Sequence, residues 1–159
     1  MELWRVRKAY RQLAVRLRRS PIAMTDVEQQ AEIAVVQMLS EGDRIETELA
    51  VLRHTRRSAR ARLRRLRERL EGMGVLKTRP PSLVRRPDEL AAQELHGTLL
   101  DGGWHDLASI VVQVQREVLH LDRRIDDTRT RLQRLNDTAR ALFDHLVRFA
   151  DSLRGQLVH

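Results

Sequence analysis

WHDLASIVVQVQREVLHLDRRIDDTRTRLQRLNDTARALFDHLVRFADSL, residues 104–153, decides how this chain folds. Apolar side chains return along it at alternating steps of three and four: Trp104, Leu107, Val111, Val114, Val118, Leu121 and Ile125, then Leu132, Leu135, Ala139, Leu142, Leu146, Phe149 and Leu153. Thr128 fills the one polar position in the series. A repeat averaging 3.5 residues, with Arg, Asp and Gln between its members, describes a helix that supercoils about a partner along its length. At 1.5 Å per residue this stretch is roughly 75 Å long, within a helix read as 104–157.

The partner is legible in the same chain. Ala31, Val35, Met38, Gly42, Ile45, Leu49, Leu52, Arg56, Ala59, Leu63, Leu66, Leu70 and Met73 repeat the spacing and place a second long helix over 25–73. Thr25-Asp26-Val27-Glu28 has the form of a capping box at its start. Gly72 and Gly74 end it, and Thr78-Arg79-Pro80-Pro81-Ser82 cannot continue it. Gly42 and Arg56 interrupt the apolar line; Gly42 marks a kink or a close crossing, and Arg56 is expected to snorkel outward from its seam position.

The 74–103 connector contains a short helix over 88–100, with Pro87 as its first helical residue, and Asp101-Gly102-Gly103 separates it from Trp104. Residues 1–20 form a basic amphipathic helix on Leu3, Val6, Tyr10, Leu13 and Leu17, ended by Ser20-Pro21. The fold class is therefore all-α, a long antiparallel coiled-coil helical hairpin with a short amphipathic helix before it and a Pro/Gly-containing connector. Ile33, Val36 and Leu39, with Phe143, Val147 and Ala150, lie off the seams and mark where the 1–20 helix should join. Ile110, Val112 and Leu119 are further apolar positions, available to the 88–100 helix or to another chain.

The 159 residues include no cysteine, only 3% aromatics and 33% charged side chains. Disulfide staples and cysteine-ligated zinc are excluded. No run of eighteen apolar residues is present, so a soluble intracellular protein without a membrane span is expected. The net charge of +8 conceals strong segregation. Residues 1–20 carry seven basic groups and one acid, 21–52 one basic group and seven acids, 53–86 thirteen basic groups and two acids, and 87–159 nine basic groups and twelve acids. Lys8 and Lys77 are the only lysines, a bias that favours guanidinium forks and also follows from GC-rich coding.

Chemistry-bearing patterns are few. The serines sit on or beside expected helices with no Gly-x-Ser-x-Gly elbow, and no glycine-rich phosphate cradle occurs. Glu41, Asp43, Glu46 and Glu48 lack the loop and spacing of a calcium site, and His105 with Asp101 and Asp106 is short of a ligand set. No enzyme activity, cofactor, metal or small-molecule substrate is expected.

Arg53, Arg57, Arg60, Arg64, Arg65, Arg67 and Arg69, with Arg79, Arg85 and Arg86, are candidate polyanion contacts, set against the plainer reading of a solvated or partner-paired face. Trp4, Trp104, Ile110, Val112 and Leu119 are candidate partner contacts, Trp104 being read first as a plug that closes the end of the coiled coil. The reading that best unites these features is a non-enzymatic coiled-coil scaffold subunit of a larger assembly. It binds other helical subunits, as a hetero-oligomer rather than a homodimer. Two alternatives are a helical subunit that contacts RNA or DNA phosphates through its arginines, and a stalk-like subunit of an export or rotary apparatus.

Overall fold

A computed structural model describes residues 3–19, 25–74 and 88–157. The described residues form four helices: α1 (Leu3–Arg18), α2 (Asp26–Gly72), α3 (Asp88–Asp101) and α4 (His105–Leu157). Pro87, the 78–82 stretch and the Ser20-Pro21 stop lie outside the described residues. The fold is the expected all-α hairpin, with α2 and α4 packed against each other. The chain divides into two compact units, residues 1–49 with 127–159 and residues 50–126, and α2 and α4 contribute to both.

The heptad reading locates the buried positions well. Ala31, Val35, Ile45, Leu49, Leu52, Ala59 and Leu70 on α2 are buried, as are Val111, Val114, Val118, Leu121, Ile125, Thr128, Ala139 and Leu146 on α4. Gly42 is also buried, and α2 runs through it as continuous helix. The two ends of the reading need correction: Met73 and Trp104 are exposed. Near position 135 the buried line shifts from half-buried Leu135 to buried Asn136. A helix of 3.6 residues per turn drifts by about 20° per heptad against a 3.5 repeat, which moves the neighbouring position under the seam.

In the unit formed by 1–49 and 127–159, Leu13, Ala31, Val35, Leu39 and Leu146 make a three-helix core, ringed by Tyr10, Leu132, Leu142, Phe143, Val147 and Ala150. The thickening expected here from α1 is present. Its extent is narrower than expected, because Ile33 and Val36 remain 50% and 43% exposed. At 100° per residue Ile33 lies about 120° around α2 from Leu39, and one short helix with a narrow apolar stripe covers a single flank. The side chains of Leu3, Val6 and Leu17 lie outside the described residues.

Charge follows the same division of labour. Arg7 of α1 pairs with Asp43, and the Tyr10 hydroxyl donates to Glu32 Oε1 at 3.0 Å. The basic first segment thus engages the acidic half of α2. At the α2 N-terminus, Thr25 accepts from the Glu28 amide through its hydroxyl at 3.5 Å and from the Gln29 amide through its carbonyl at 3.0 Å. The reciprocal arm of the expected capping box is not formed, because the Glu28 carboxylate turns to α4, where His145 Nε2 lies 3.8 Å away.

Burial and then the hydrogen bond to Glu32 push the Tyr10 phenol up to about 12. Tyr10 is the only tyrosine, so its titration is unambiguous. In the unfolded chain the phenol ionises near 10. The raised value means that the folded state holds the proton more tightly. This contribution to stability is fully present below about pH 10 and is lost as pH rises through about 12. Tyrosinate absorbance of the native protein should show a midpoint near 12 that returns to about 10 in denaturant; a native midpoint near 10 would show that α1 does not dock here.

In the unit formed by 50–126, Ala59, Val114 and Val118 pack with Leu63, and Leu70 packs with Ala92, Leu95 and Leu99 of α3 and with Ala108 and Val111 of α4. Here α2 and α4 run antiparallel, since Arg56 meets Asp122 while Arg62 meets Glu117. Two glycines shape the helix ends. Gly74 has φ +74° and its amide donates to the Glu71 carbonyl. Gly103 has φ +80°; its amide bonds the Leu100 carbonyl while the Trp104 amide bonds the Leu99 carbonyl at 2.8 Å. This is a Schellman closure, in which a residue with a Cβ at the left-handed position costs about 1–2 kcal/mol.

Candidate interaction surfaces

Two surfaces of the 50–126 unit gather the chemistry-bearing side chains. The first is the arginine-rich face of α2. Its seam residues Leu52, Ala59, Leu63, Leu66 and Leu70 turn one side toward α3 and α4, so residues about 180° away project to solvent. Arg56 does not snorkel outward: it is half-buried, and its NH1 donates to Asp122 Oδ1 at 2.8 Å across the helix pair. A guanidinium at a seam position is costly to desolvate, and a carboxylate opposite offsets that cost.

Arg62 donates to Glu117 Oε2 at 2.6 Å, and Arg67 donates through Nε to Glu71 Oε1 at 3.0 Å. The exposed pair contributes on the order of 0–1 kcal/mol. Arg53 and Arg60 are half-buried beside the seam, whereas Arg57, Arg64, Arg65 and Arg69 are exposed. Arg79, Arg85 and Arg86 lie outside the described residues.

The second surface is a groove between α3 and α4. An open cavity of about 340 Å³ is lined by His96, Leu100, His105, Ala108, Ser109, Val112, Gln113 and Arg116. The Schellman turn sets its end, where the Trp104 indole lies over Gly102; a Cβ placed on Gly102 would meet Trp104 Cδ1 at 2.9 Å. Trp104 is 45% exposed and precedes the first α4 residue, so the plug reading is corrected: the indole lies beside the turn instead of closing a seam.

The flank expected at Ile110, Val112 and Leu119 is in fact two faces. At 100° per residue Val112 and Leu119 are about 20° apart, while Ile110 is about 160° from Val112. Val112 is half-buried in the groove, and Leu119 and Ile110 are exposed. The connector helix takes neither Ile110 nor Leu119, and its own core contacts on α4 are Ala108 and Val111. Trp4's side chain lies outside the described residues.

His96, Leu100, Ser109 and Arg116 join this surface without having been singled out by sequence. A signal for the α4 members exists: His105, Ser109, Val112, Arg116 and Leu119 step by four and three, a second stripe parallel to the seam. Ser109 lies one turn from His105, yet among the described residues it makes no hydrogen bond to His105 or His96. Among the described residues no group of His, Asp and Glu is arranged to hold a metal ion, and no helix is long and apolar enough to cross a membrane. Compared with protein-family models, with characterised proteins and with solved structures, the chain matches none of them.

Proposed function

We propose that this protein is a non-enzymatic helical subunit of a larger assembly, binding an amphipathic helix of another protein in the groove between α3 and α4. The observation that carries the reading is the second stripe on α4. It has apolar Val112 and Leu119 one heptad apart, and exposed Leu100 of α3 lines the groove with Val112. Apolar side chains at heptad spacing are what a further coiled-coil helix needs for knobs-into-holes packing. Arg116 lines the same groove and favours an acidic helix. A second copy is a poorer candidate, because its acidic segment is engaged by its own α1 through Asp43 and Glu32.

The test is site-specific photo-crosslinking in the native host, with the reactive group at position 112 or 119 and a control at the exposed apolar position 33. Positions 112 and 119 should give an adduct with one other protein, at sites in that partner spaced by three, four or seven residues, and position 33 should not. Adducts only between copies of this chain, or the same adduct from all three positions, would overturn the proposal.

A further inference from the structure

The block charges of the chain are matched unevenly. The basic 1–20 segment meets the acidic segment of α2 through Arg7–Asp43 and Tyr10–Glu32. Of the most basic block, 53–86, the described residues are 53–74. Between 53 and 72 it carries nine arginines and two acids, and the carboxylates of Asp122, Glu117 and Glu71 engage Arg56, Arg62 and Arg67. Arg57, Arg64, Arg65 and Arg69 remain as an exposed set.

Their placement on the helix is informative. At 100° per residue Arg57 and Arg64 lie about 20° apart, and Arg65 and Arg69 lie about 40° apart on a line roughly 110° further round. Two rails of guanidinium groups thus flank a strip that holds Ala61 and Glu68. With side chains the helix is about 10–12 Å across, and the major groove of a B-form duplex is about 12 Å wide. The helix can enter such a groove with one rail toward each phosphate backbone.

We infer that the outward face of α2 between Arg57 and Arg69 binds the phosphate backbone of duplex nucleic acid, at a surface separate from the α3–α4 groove. Three features favour a duplex over an acidic protein or a single strand. No large apolar side chain is exposed between residues 52 and 72, so the face lacks the anchors that fasten a partner helix. Phosphate binding needs none, because its driving force is counterion release. The face has no Phe, Tyr or Trp, so it has no platform for stacking unpaired bases. It has no Asn or Gln to read adenine, and contacts made by its arginines to the phosphate backbone carry no base information. Glu68 is the one acid on the outward strip and opposes binding.

The experiment uses the full chain and a labelled blunt DNA duplex of about twenty base pairs, read by fluorescence anisotropy over a salt series. Four phosphate contacts predict a log–log slope of about −3.6, so affinity should fall on the order of a hundredfold between about 50 and 200 mM salt. The quadruple variant Arg57→Gln, Arg64→Gln, Arg65→Gln, Arg69→Gln should abolish binding while its circular dichroism and melting temperature stay those of the parent. Glu68→Gln should tighten binding severalfold. Arg11→Gln with Arg16→Gln, both exposed on α1, should leave affinity and slope unchanged. Absence of duplex binding at low salt, an unchanged affinity in the quadruple variant, or an equal loss in the α1 variant would overturn the inference. Tighter binding to a single strand than to the duplex would do the same.

Discussion

Leu146→Ala should cost about 2–5 kcal/mol of local stability, the range for emptying a fully buried leucine site. Leu146 is 0% exposed and lies in the core that α1, α2 and α4 share. Ala31, Val35 and Leu39 approach it from α2 and Leu13 from α1. The lost side chain therefore leaves a void bounded by three helices, and α1 is poorly able to close it. A helix of 16 residues is marginal alone in water, so α1 depends on this contact for its structure. Amide protection across α1 and residues 26–39 should fall by a factor of roughly 30 or more. Leu132→Ala, at a half-buried position beside the same core, should cost less. Equal effects from both substitutions would mean that the three-helix core is not the tight contact described.

The parts of the fold that periodicity revealed are those in which many positions speak for one conclusion. Each seam position carries little information alone, but the α2 and α4 lines repeat the same steps for over forty residues, and most of their members are buried. Helix-end signals were equally local: Gly74 and Gly103 stand at left-handed positions that suit glycine. What escaped depends on angles between helices. Ile33 and Val36 are apolar and lie in the same α2 segment as Val35 and Leu39, yet their burial is decided by which flank α1 follows, and no residue type encodes that axis.

Arg56 escaped for a related reason, since its partner Asp122 is opposite only in the register the pair adopts. The groove between α3 and α4 was half legible. Its α4 stripe is periodic, but the α3 wall of His96 and Leu100 comes from a helix whose 14 residues are too few to establish a phase. Treating Ile110, Val112 and Leu119 as one flank counted apolar residues without counting the 100° between successive side chains.

That wall gives the second large expected effect. Leu99 is 0% exposed, packs with Ala92, Leu95, Leu70, Ala108 and Val111, and its carbonyl accepts the Trp104 amide in the turn that starts α4. Leu99→Ala should cost about 2–5 kcal/mol. The loss falls on α3 first, because a 14-residue helix has little stability without its apolar face docked. Protection of amides 92–101 should drop by a factor of roughly 30 or more. The functional consequence separates the two proposed surfaces. With α3 undocked, His96 and Leu100 leave the groove, and the heterologous adduct at position 112 should disappear. The outward arginines of α2 are set by that helix alone, so duplex binding should keep its affinity and its salt slope. If the adduct survives in a variant whose α3 amides have lost protection, the groove is not the partner's seat and the stripe on α4 acts without its wall. If duplex binding falls together with the adduct, the two surfaces are one site.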